Sequence, residues 1–78
     1  MSWMDDLYAI YQKLDATGCA EVKRNIIKAQ MDGCSRGEIY VLILQQLMQI
    51  KQEKAPVYEL IKGEVENIIH YSNKQYLN

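Results

Sequence analysis

The side chains able to do chemistry are few, and their spacing works against it. His70 is the lone histidine; Glu66 precedes it by four residues and Lys74 follows by four, so on a helix the three share one polar side. A Glu66–His70 pair supplies two metal ligands where a working site needs three or four, and Cys19 and Cys34 match no zinc spacing that would complete it. A Cys–His nucleophile pair has no local support around either partner. Asp5 with Asp6, and Glu64 with Glu66, point apart on a helix and make poor acid–base partners. No glycine-rich phosphate loop is present. The expectation is a protein that is not an enzyme and takes no metal and no cofactor.

Cys19 and Cys34 read as free thiols. If residues 18–32 form one helix, the two lie roughly 22 Å apart at about 1.5 Å per residue, whereas a disulfide needs Cα atoms within about 7 Å. Free thiols suit a reducing compartment. The N-terminus lacks the basic region and apolar core of a signal peptide, and no run of about 18 apolar residues is available to span a membrane. The expected location is the cytoplasm.

The formal net charge of −1 argues against a strong hold on phosphates, which rests on clustered Lys and Arg. Six tyrosines with no phenylalanine are the more unusual feature. Tyr8, Tyr11, Tyr40, Tyr58, Tyr71 and Tyr76 suit either a protein interface or the rim of a core, with hydroxyls in water. Tyr40 stands apart. It lies inside the run Ile39–Leu44, so it is either buried with a hydrogen-bond partner or part of an interface.

Four helices must position these groups. Ser2, with Asp5 and Asp6 behind it, starts a first helix at 3–14 whose stripe is Trp3, Leu7, Ile10 and Leu14. Thr17 is placed to cap a second helix over 18–32, with Cys19, Val22, Ile26 and Ala29 on one side. Gly33 is expected to stop it by taking the left-handed conformation. Ser35 and Glu38 form a capping box before a third helix over 36–53. Pro56 opens a fourth, running to about residue 72, with Val57, Ile61, Val65 and Ile68 inward. A strand at 39–44 has no partner strand and would waste the cap. The fold class is therefore all-α: one domain over 1–78, a small irregular four-helix bundle with the third helix (about 36–53) central.

Residues 25–44 resemble a helix-turn-helix motif. Ala29 is the small residue facing the second helix, Gly33 makes the turn, Ser35 caps, and Ile39 and Leu42 point inward. The resemblance implies a DNA-binding transcriptional regulator touching phosphate through Lys28, Ser35 and Arg36. Three features depart from the motif, the slightly acidic net charge being one. Asp32 stands where an apolar residue is usual, and Tyr40, Val41 and Leu44 take outward positions where base-reading side chains belong.

The third helix carries the leading expectation. Six consecutive apolar residues leave it no wet side, so it needs neighbours all round. Either the other helices enclose it or another chain covers the remainder. The function read from this is a non-enzymatic protein–protein interaction and regulatory module, a homodimer, with Trp3, Tyr8, Tyr11, Tyr40, Val41 and Leu44 at the interface and no membrane role. DNA binding through residues 25–44 is the alternative.

Overall fold

Apolar residues recurring every three to four positions produce helices here and nothing else. The computed structural model describes residues 3–76, the last five by backbone alone. The cap read for Ser2 and the side chains of Lys74 and Tyr76 lie outside the described residues. α1 spans Trp3–Ala16, α2 Ala20–Asp32, α3 Arg36–Glu53 and α4 Ala55–Tyr76, and the described residues include no strand.

α1 buries the stripe its spacing predicts, Trp3, Leu7, Ile10 and Leu14. Its end differs from expectation. Gly18 takes φ +74°, the Cys19 N–H donates to the Leu14 carbonyl at 2.9 Å and the Gly18 N–H to that of Asp15 at 3.3 Å. This is a left-handed glycine terminator with its two characteristic bonds. Thr17 belongs to this terminator as well. Its hydroxyl donates back to the Lys13 carbonyl at 2.8 Å, so it closes α1 and does not cap α2. Cys19 precedes α2 with no side-chain cap.

Gly33 departs from expectation as well. It is extended, φ −77° and ψ 141°, so it is not there for a left-handed turn. It is there for closeness: a Cβ on it would lie 2.5 Å from Cγ1 of Ile39. The capping box at α3 forms almost as read. Ser35 Oγ accepts from the Glu38 N–H at 3.1 Å, and the Glu38 carboxylate accepts from the Cys34 N–H at 2.7 Å, one residue earlier than the usual reciprocal bond. A single residue, Lys54, joins α3 to α4. Its N–H donates to the Ile50 carbonyl and its own carbonyl accepts from Tyr58, so it closes one helix and opens the next. Pro56 sits in the first turn of α4, where its missing N–H costs nothing.

The four helices close a ring. α1 packs on α2 and α4, and α3 packs on α2 and α4, which leaves α1 diagonal to α3. The radius of gyration, 11.8 Å, is close to the roughly 11.5 Å of a compact chain this long. Inside the ring lie the α1 stripe, Val22, Ile26 and Ala29 of α2, Tyr40, Ile43, Leu47 and Ile50 of α3, and Tyr58, Ile61, Val65 and Ile68 of α4. Tyr58 replaces Val57 in the stripe expected for α4, and the Lys51 ammonium lies 5.7 Å from its ring centre. Trp3 reaches across the diagonal and meets Tyr40 edge to face, ring centres 5.0 Å apart. Polar contacts tie the rim: Lys13 to Glu64 at 2.8 Å, Asn67 to Asp6 at 3.2 Å, and Lys23 to Asp15 at 2.8 Å. Exposed pairs of this kind add little each, so apolar burial is what holds the bundle.

Candidate functional site

The bundle needs only part of α3. Tyr40, Ile43, Leu47 and Ile50 face the core, and α2 and α4 flank the helix. The other three helices therefore do not enclose α3 on every side. Its outer face is left with apolar residues on it: Val41 is 52 % exposed, and Leu44 and Met48 are half-buried.

These residues line an open groove of about 730 Å³. Gly37 lies at its start, where the missing side chain leaves the floor low, and the edge of Tyr40 contributes to it. Gln45, Gln49 and Gln52 border it. No lining residue is charged, and α3 carries no charged residue anywhere from 39 to 50. Exposed helix faces are ordinarily kept wet by Lys, Glu or Arg. A groove with neutral amides along one border and hydrocarbon on its floor can hold an apolar side chain and hydrogen-bond at its margin.

The six residues expected at an interface do not share one face. Val41 and Leu44 lie together in the groove. Trp3 and Tyr40 are core residues, 1 % and 3 % exposed, and so are not contact residues in their own right. Tyr40 has the partner its position required: its hydroxyl donates to the Ile68 carbonyl of α4. Tyr11 is half-buried and its hydroxyl donates to Oε1 of Gln30 at 2.8 Å; burial pushes its phenol from 10.0 up to about 12. Tyr8 is exposed on α1, across the diagonal from α3. Gly37, Met48 and the glutamines were missed from the sequence. The signal that marks them is the charge-free stretch 39–50 combined with the steps 37, 41, 44, 48.

The residues of the DNA alternative fall at the α2–α3 corner. Lys28 and Arg36 are exposed, but the Ser35 hydroxyl is occupied by the Glu38 N–H, and the Glu38 carboxylate stands at the same helix start. His70 is exposed on α4, Cys19 and Cys34 are free thiols, and among the described residues no three His, Cys, Asp or Glu side chains gather as a metal site. No helix among the described residues is long and apolar enough to cross a membrane. Comparison with known proteins finds no matching family model, no matching curated protein and no matching solved structure.

Proposed function

We propose that this protein is a non-enzymatic, cytoplasmic interaction and regulatory module that pairs with a second copy of itself through the outer face of α3. One observation carries the reading: Val41, Leu44 and Met48 form an open apolar strip on a helix with no charge between 39 and 50. A face without charges can meet its own copy across a two-fold axis with no like charges opposed, and two-fold pairing is the commonest arrangement of identical chains. A groove laid along one helix also favours a helix as its occupant, anchored at three- and four-residue steps.

Light scattering coupled to size exclusion tests this at micromolar concentration. The expected mass is twice the 9.1 kDa of one chain. Val41→Glu sets a charge in the strip and is expected to return the protein to the monomer with its helical content intact, because Val41 is outside the core. A wild-type monomer at every concentration overturns the proposal. Retardation of duplex DNA that weakens steeply with salt, and is lost in Lys28→Ala or Arg36→Ala, would transfer the function to the α2–α3 corner.

A further inference from the structure

Building on that pairing, the geometry points to an antiparallel seating of α3 on α3 of the second copy, with the two-fold axis beside Leu44. Gly37, Val41, Leu44 and Met48 advance by four, three and four residues, the spacing of a coiled-coil seam. The two flanks of this seam are unlike. Tyr40 and Leu47, each one residue before a seam position, are buried in the protomer's own core. Glu38, Gln45 and Gln52, each one residue after a seam position or its continuation at Lys51, are exposed.

Parallel helices set one flank against the opposite flank of the partner. Gln45 of one copy would then face Tyr40 or Leu47 of the other, which are only 3 % and 0 % exposed and offer it almost no surface. Antiparallel helices set like flank against like. Gln45 meets the second copy's Gln45 near the axis, two amides that can bond to each other. Glu38 comes to the end of the second copy's strip, where Lys51 and Gln52 lie. A parallel pair would instead oppose Lys51 to Lys51 at the end of the seam and carry Glu38 away from the second copy's Lys51. Size is matched too: Val41 falls opposite Met48, short against long on both sides of the axis, and Gly37 falls opposite Gln52. The helix dipoles also oppose in this seating.

Cysteine bridging of the full chain, in a Cys19→Ser/Cys34→Ser background, reads the orientation directly. Leu44→Cys, beside the axis, is expected to bridge to itself on mild oxidation. A mixture of Val41→Cys and Met48→Cys chains is expected to give mainly the mixed bridge, resolved by mass. Gly37→Cys is tolerated, since a Cβ there meets nothing within 4 Å. It is expected to stay reduced, because the two copies of residue 37 lie roughly 22 Å apart along the helices. Self-bridging at 37, with each of 41 and 48 bridging to itself, overturns the antiparallel seating and leaves the pairing intact. A dimer that does not bridge at 44 overturns both the seating and α3 as the contact. A monomer that bridges nowhere overturns the pairing itself and leaves the groove to another protein's helix.

Discussion

Gly33→Ala tests how closely α2 and α3 meet. The backbone at Gly33 suits any residue, so alanine adds no torsional strain. Its Cβ, however, would lie 2.5 Å from Cγ1 of Ile39 and 2.8 Å from both the Cα and the backbone nitrogen of the same residue. Two of those three atoms are backbone in the first turn of α3. That turn is held by the Ile39 N–H on the Ser35 carbonyl, 2.9 Å, and by the Ser35 cap, so the clash is relieved only by moving the helix. Overpacking of this kind costs about 1–3 kcal/mol. Restricting the unfolded chain returns about 0.4–1 kcal/mol, which leaves a net loss of roughly 0–2.6 kcal/mol, with about 1–2 kcal/mol in the middle of that range. At about 4–8 °C per kcal/mol for a domain of this size, Tm should fall by roughly 4–16 °C. Gly63→Ala is the matched control. It lies within α4 with nothing within 4 Å of a new Cβ, and alanine there should raise stability by about 0.5–1 kcal/mol. Thermal melts by circular dichroism at one protein concentration compare the two. A Gly33→Ala protein that melts at or above wild type would refute the close corner, because the same substitution would then be acting only through the unfolded chain.

Tyr40→Phe keeps the ring against Trp3 and removes the bond to the Ile68 carbonyl; urea unfolding should show a loss of about 1 kcal/mol with the slope unchanged, and no loss would mean that the bond contributes nothing. For Tyr11, burial raises the phenol's pKa in the folded state to about 12 from 10.0. The folded state thus holds the proton more tightly than the unfolded one. The stability tied to the neutral phenol is fully present below pH 10 and is lost as pH climbs towards about 12. Tyr11→Phe should flatten that part of the alkaline decline in stability, and an unchanged profile would remove Tyr11 as its source.

The stripes of α1 and α2 were legible because each has one apolar side, and a 3.6-residue period then names the inward residues without knowledge of the partner helix. Val57 and Tyr58 show where this stops. Both lie one turn before Ile61, so either fits the period, and only the packing of α4 beside α3 and Lys51 selects Tyr58. Gly33 was legible as a punctuation mark but not for its reason, since the close approach of Ile39 exists only once the two helices meet. The candidate site was the least legible part. A helix apolar on every side has no period to show which side stays open, so Val41 and Leu44 could be named as surplus but the groove's other lining residues could not. Trp3 reads from its type as an interface residue, yet large aromatics enrich both interfaces and cores, and type alone does not separate the two.

The ring of helices also has an order of completion. Of the four helices α1 leaves the ribosome before the others, yet it packs largely on α4, the last of the four, with Lys13 reaching Glu64 and Asp6 reaching Asn67. At about 5–20 residues per second, the chain between α1 and α4 takes roughly 2–8 seconds to synthesise. Throughout that interval Trp3, Leu7, Ile10 and Leu14 lack the α4 surface that completes their cover. The hairpin of α3 and α4, joined by one residue, can close as soon as it emerges, so the nascent chain presents a greasy α1 whose shelter is complete only when α4 arrives.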